Sequence, residues 1–171
     1  MKFFTQEPKE MEEFTEFLED DLENIQRVIA ELESENIDAE FMIHAKAETV
    51  EESAKNTDVE EKEIVKTLIF IGEEPVAVLC PGNTSVSEEK LEKILGNSVR
   101  MAKPSEVTEA TGYYIGGVSP FDLDIRVLME ESLLKQRKIK PAAGSRVAGA
   151  IIDPEDLKEV SGAEVVDVSR N

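Results

Sequence analysis

The chain has 171 residues, with 38 Asp plus Glu against 19 Lys plus Arg and a net charge of −19. That length holds one domain with a sizeable core and is too short for two ordinary ones. The acidity argues against unspecific binding to nucleic acid or anionic membranes, and a single cysteine with a single histidine excludes an internal disulfide and the usual zinc cage.

Forty per cent apolar residues is enough to fold, so the charge belongs to a solvated surface. No apolar run approaches ~18 residues and the N-terminus is polar, so a soluble, cytoplasmic protein is expected, with no membrane and no DNA among its partners. The charge is uneven. Residues 1–35 hold twelve acids and three bases, whereas residues 132–152 hold no acid and five bases, Lys135, Arg137, Lys138, Lys140 and Arg146. This segment either suits a polyanion or balances local acids.

Pro8 opens a helical pattern in which Phe14, Phe17, Leu18, Leu22, Ile25, Ile29 and Leu32 recur three and four apart, with Asn36 as the stop. The spacing predicts one buried apolar stripe, and the part before about Asp21 either packs on the domain, sits on a partner or lengthens the first helix. Phe41 to His44 reads as a first strand, and Thr49 with Glu52 has the spacing of a capping box for a helix ending near Asn56. Ile64 to Ile71 and Val76 to Cys80 read as strands of a hairpin closed by Gly72-Glu73-Glu74-Pro75. Cys80 reads as a core thiol rather than a nucleophile. Capping chemistry at Ser85 to Glu88 starts a helix that buries Leu91, Ile94 and Leu95 and ends at Gly96. A short strand, Val99 to Ala102, precedes a helix with Pro104 in its first turn and Gly112 as its stop. Further strands are expected at Ile125 to Met129, Ile139 to Ala143, Val147 to Ile152 and Glu164 to Val168, with a helix from Asp153 to Gly162 before the last. Strands and helices that do not strictly alternate predict an α+β single domain with a mixed sheet.

The chemistry centres on Thr111-Gly112-Tyr113-Tyr114-Ile115-Gly116-Gly117-Val118-Ser119-Pro120-Phe121. Two adjacent glycines leave the backbone open to close approach, though a plain glycine connector has the same composition. Lys66 interrupts an apolar strand, so its ammonium either snorkels to the surface or faces a polar cavity. His44 lies far from any activated serine, which leaves no Ser-His-Asp arrangement. Neither a dinucleotide fingerprint nor a phosphate loop is present, and Asp122-x-Asp124 fails as a calcium loop at Arg126.

Lys66-Thr67 in a strand, then Thr-Gly-Tyr-x-x-Gly-Gly-x-Ser-Pro over 111–120, then Gly144-Ser145-Arg146, resembles the YbaK family of aminoacyl-tRNA deacylases, which also occurs as the editing insertion of bacterial prolyl-tRNA synthetases. The resemblance runs from about Leu22 to the C-terminus, so residues 1–21 are expected to be an acidic N-terminal helical extension and 22–171 the deacylase domain. It implies a sheet curved toward a barrel with helices outside. It also implies trans-editing hydrolysis of the ester joining an amino acid to the 3′ adenosine of a mischarged tRNA, with tRNA(Pro) carrying Ala, Cys or Ser favoured.

By the same resemblance Lys66 faces the active pocket and holds a phosphate or a carbonyl oxygen. Amides of Gly116 and Gly117 stabilise the oxyanion, an effect worth on the order of 3 kcal/mol per donor in other acyl-transfer enzymes. Thr67, Ser119, Pro120, Gly144, Ser145 and Arg146 are the expected substrate-binding residues, with Ser119 and Pro120 fixing the loop's shape. No cofactor or metal is expected. The partners are the 3′ acceptor end of aminoacyl-tRNA and a synthetase. The alternative is a non-catalytic module of the same fold that binds tRNA 3′ ends or a synthetase through its acidic N-terminal helix. One departure stands out: where family members often carry glycine after the Ser-Pro-hydrophobic run, this chain has Asp122, a negative charge near an anionic substrate.

Overall fold

The computed structural model describes residues 8–44 and 50–170. In chain order they form α1 (Pro8–Asp20), α2 (Leu22–Ser34), β1 (Glu40–Ile43), α3 (Val50–Thr57), β2 (Ile64–Ile71), β3 (Pro75–Pro81), α4 (Glu88–Leu95), β4 (Arg100–Met101), α5 (Pro104–Thr111), β5 (Arg126–Glu130), β6 (Lys140–Ser145), β7 (Ala148–Ile151), α6 (Pro154–Ser161) and β8 (Glu164–Val166). The strands make one mixed sheet in the order β1-β7-β6-β2-β3-β5-β8, with β4 paired to β2. The sheet is open, with β1 and β8 at its two ends.

Local chemistry explains most boundaries. Gly96, Gly112 and Gly162 end α4, α5 and α6 with φ of 75°, 79° and 66°, a left-handed conformation that glycine adopts without a Cβ clash. Ser87 caps α4 by accepting from Lys90 N–H at 3.2 Å. Thr49 lies outside the described residues. The helical pattern that opens at Pro8 forms two helices, with the backbone leaving helical geometry at Asp21 (φ −102°, ψ 4°). Asp21 is 7% exposed and lies beside Ser145, while the bonds from Asp21 N–H to Phe17 C=O at 3.0 Å and from Ile25 N–H to Asp21 C=O at 2.9 Å carry the helical pattern across the break. Phe17, in the expected extension, packs partly buried on the main core.

The sheet is covered on both faces. Alternation along β3 sends Ala77 and Leu79 to a core that includes Ile25, Val28 and Leu32 of α2. Val76, Val78 and Cys80 go to a second cluster with Leu91 of α4. A strand buried on both sides needs the unbroken apolar run that β3 has.

The C-terminus is held by Glu130 at the end of β5. This carboxylate is 1% exposed and accepts from Ser132 N–H at 2.7 Å, the Ser132 hydroxyl, Val168 N–H at 3.2 Å and Ser169 N–H at 3.4 Å. Burial pushes its pKa up, but the hydrogen bonds together outweigh burial and hold it below the ordinary 4.5. A depressed carboxylate stabilises the fold above its unfolded pKa, and that contribution is lost as pH falls through the folded value. Glu130→Gln is therefore expected to cost about 1–3 kcal/mol at pH 7. Denaturant unfolding should show the deficit shrinking as pH falls below about 4; a deficit independent of pH would mean that charge is not what holds the terminus.

Candidate active site

Strand β2 pairs with β6 only at Ile64↔Lys140 and Val65↔Pro141, and meets β4 only from Phe70 onward. Between these points, among the described residues, no strand lies on that side of Lys66, Thr67 and Leu68. A cavity of about 370 Å³ occupies the gap. Backbone alternation decides what faces it. Ile64 C=O accepts from Gly82 N–H on the β3 side, and Ile69 C=O accepts from Ala102 N–H on the other. The N–H and C=O of Thr67, two residues before Ile69, therefore project into the open gap. The Thr67 hydroxyl is buried and has no hydrogen-bond partner among the described residues.

Lys66, Thr67, Gly116, Ser145 and Arg146 all line this cavity. The Lys66 ammonium donates to Thr84 C=O, which leaves two of its three donors for other acceptors. Beside it, Cys80 Sγ lies 3.2 Å from Thr84 Oγ1, and burial pushes the thiol's pKa up, so Cys80 is a poor nucleophile.

The glycine loop is a tight turn. Gly117 N–H donates to Tyr114 C=O at 2.9 Å, with Gly116 at φ 94°. A Cβ at Gly116 would collide with the Arg146 side chain, and one at Gly117 would lie 2.8 Å from Ser145 Cα. Arg146 Nε in turn donates to Ile115 C=O at 3.3 Å. The two motifs, far apart in sequence, thus pack as one unit.

This geometry corrects four expected roles. The Gly117 amide closes the turn and is not an open donor, so Gly117 serves close packing. Gly116 lines the cavity, and no described residue accepts from its N–H. Ser119 is fully buried behind the loop, where its hydroxyl accepts weakly from Phe121 N–H at 3.5 Å, and Pro120 is buried beside it. Gly144, at φ 93°, lets β6 pass the α2 backbone, because a Cβ there would sit 2.7 Å from Asn24 C and O. Neither Ser119, Pro120 nor Gly144 lines the cavity.

Three residues beyond the expected set matter. Lys140 and His44 also line the cavity, 4% and 3% exposed. The register Ile64↔Lys140, Ala142↔Gly149 and Met42↔Gly149 puts Lys140, Lys66 and His44 on one face of the sheet. Gly149 makes room, since a Cβ there would collide with Lys140 Cε. Burial pulls the Lys140 ammonium down to about 8. The basic segment 132–152 marked Lys140 in the sequence, but only strand pairing shows that it turns inward.

The third is Arg27 of α2. Its guanidinium donates to Thr111 C=O at 2.8 Å, Asp122 carboxylate at 3.0 Å and Asp122 C=O at 2.6 Å. It also lies 4.1 Å from the Tyr113 ring centroid. Tyr113 is fully buried and donates to Phe121 C=O at 2.6 Å, and burial pushes its phenol pKa up. Arg27 therefore clamps both ends of the loop. Asp122 has φ 55°, which explains why glycine is at home there. Its charge meets Arg27 rather than the cavity.

The described lining of the cavity carries Lys66, Lys140 and Arg146 and no carboxylate, in a chain of net charge −19. Among the described residues no cluster of His, Cys, Asp and Glu fit to hold a metal occurs, and no helix is long and apolar enough to cross a membrane.

The chain has relatives among known proteins. The chain is 35% identical over 128 residues to the uncharacterized protein YwhH of Bacillus subtilis, a match covering 72% of this chain and 82% of that one. It is 40% identical over 90 residues to proline–tRNA ligase of Aquifex aeolicus, covering 50% of this chain and 16% of the ligase. The crystal structure of hypothetical protein APE2540 matches with a TM-score of 0.80 and 33% identity over 84% of this chain and 99% of that one. A candidate trans-editing enzyme for prolyl tRNA synthetase also matches at 0.80, with 28% identity over 86% and 98%. The model of the aminoacyl-tRNA editing domain matches residues 44–160, which hold Lys66, the glycine loop and Arg146, and the chain belongs to that family.

Proposed function

We propose that this protein is a trans-editing deacylase that hydrolyses the ester between a mismatched amino acid and the 3′ adenosine of a tRNA, with tRNA(Pro) carrying alanine, cysteine or serine as its substrate. The carboxylate-free cavity lined by Lys66, Lys140 and Arg146 carries this reading, because a polyanion can enter an acidic protein only where local charge favours it over distances of roughly 8 Å. Residues 22–171 form the deacylase domain and residues 1–21 the acidic extension, from which Phe17 and Asp21 reach the loop.

The chemistry needs no protein nucleophile. Water attacks the ester carbonyl carbon, the carbon–oxygen bond to the ribose breaks, and the released ribose oxygen takes up a proton. Gly116 N–H donates to the carbonyl oxygen as it gains charge. Lys66 holds a phosphate or carbonyl oxygen of the substrate, and the unpaired amide and hydroxyl of Thr67 orient it. The test is ester hydrolysis by the purified protein on tRNA(Pro) charged separately with alanine, cysteine, serine and proline. Rapid loss of one mischarged species with proline spared is the expected result. Hydrolysis of none of them by the folded protein would overturn this specificity, and the same failure on other mischarged tRNAs would overturn the activity.

A further inference from the structure

The geometry points to a second subsite beside the deacylation cavity, built for a nucleobase that carries an exocyclic amine: the cytidine preceding the terminal adenosine of a tRNA. The inference rests on the reading that the first cavity takes that adenosine. The turn at Gly116 pushes Tyr114 and Ile115 into solvent, 55% and 46% exposed. Between them and the end of α1 lies a cavity of about 390 Å³ lined by Phe17, Asp20, Asp21, Tyr114, Ile115 and Arg146. Ile115 and Arg146 line both cavities, so the two share a wall, and a strand leaving the first passes directly into the second.

The lining selects the occupant. The exposed Tyr114 offers a ring face on which a base can stack. Arg146 stands between the cavities, 5.4 Å from the Phe17 ring centroid, where the phosphate joining two nucleosides would lie. Asp21 is buried and hydrogen-bonded by Ser145, which leaves the exposed Asp20 to read the base. A carboxylate repels phosphate but accepts a hydrogen bond from cytosine N4, and uracil has no such donor.

Titration calorimetry with AMP and the unacylated dinucleotides CpA and UpA tests this on the full-length protein. CpA is expected to bind at least tenfold more tightly than AMP and severalfold more tightly than UpA. Tyr114→Ala should reduce CpA to the affinity of AMP with AMP unchanged, Tyr114→Phe should retain the gain, and Asp20→Ala should erase the preference for CpA over UpA. AMP and CpA binding equally to the wild type, or a CpA advantage that survives Tyr114→Ala, would overturn the subsite and leave the deacylase reading standing. Self-association lost in Tyr114→Ala without any dinucleotide effect would instead make the patch a contact between copies of the chain. A CpA preference in a protein that hydrolyses no ester would sink the deacylase reading alone.

Discussion

Replacing Lys66 by alanine is expected to lower kcat/KM for the mischarged ester by at least ~100-fold, close to 2.7 kcal/mol of lost transition-state stabilisation. The expectation rests on where the ammonium sits. Lys66 lines the cavity from a partly buried strand position and gives one described hydrogen bond, to Thr84 C=O, so its removal takes a cation from the cavity wall while disturbing little of the core. The thermal midpoint should move by no more than about 3 °C, the equivalent of roughly 1 kcal/mol in a chain of this size. Arginine should rescue poorly, because its planar fork needs more width than an ammonium and directs its donors differently. A folded Lys66→Ala protein with unchanged kcat/KM would remove Lys66 from the chemistry; parallel losses of stability and activity would make it a structural residue.

The second large effect is expected at a residue that touches no substrate. Arg27→Ala removes four described hydrogen bonds, the weakest of them to Asn24 Oδ1 at 3.5 Å, and the contact with Tyr113, and should destabilise the protein by about 2–4 kcal/mol. It leaves the Thr111 and Asp122 carbonyls to water and Asp122 at φ 55° without its counter-charge. With both ends of the loop released, Gly116 N–H is no longer held in place, and kcat should fall by about 10-fold or more even at temperatures where the variant is folded. Arg27→Lys should recover only part of this, since an ammonium cannot fork between two carbonyls and a carboxylate. Asp122→Gly placed in the Arg27→Ala background should restore some stability, because glycine takes that conformation without strain. A midpoint within 1 °C of wild type would show that the loop holds its shape by itself.

These residues mark the limit of what the chain reveals unaided. Strand β2 was legible to the residue, and so were the glycine stops of α4, α5 and α6, because local patterning and backbone sterics determine them. The resemblance carried by Lys66-Thr67, the glycine loop and Ser145-Arg146 led to five residues that do line one cavity. What it could not supply was the division of labour within each motif. Gly116 and Gly117 are neighbours in a formula, yet one lines the cavity while the other closes a turn on Tyr114 and packs against Ser145, some 30 residues on. Arg27 was invisible for the same reason: in sequence it is one base on the polar side of an amphipathic helix, and its partners lie 84 and 95 residues away. At Asp21 a buried carboxylate lies beside Ser145, a neighbour that helical periodicity has no means to encode.

The two residue pairs that join β2 to β6 also act as the pivot of a caliper. The jaws are the β1-β7-β6 half and the rest of the sheet, and the gap between them is the cavity itself. The width of the cavity is therefore a mechanical quantity, set by the angle at which the halves cross as much as by the side chains that line it. Substitutions away from the opening, at the packing of α2 on β6, are expected to adjust that angle without altering a lining residue. Selectivity in this scaffold can drift through its joints while its chemistry stays fixed.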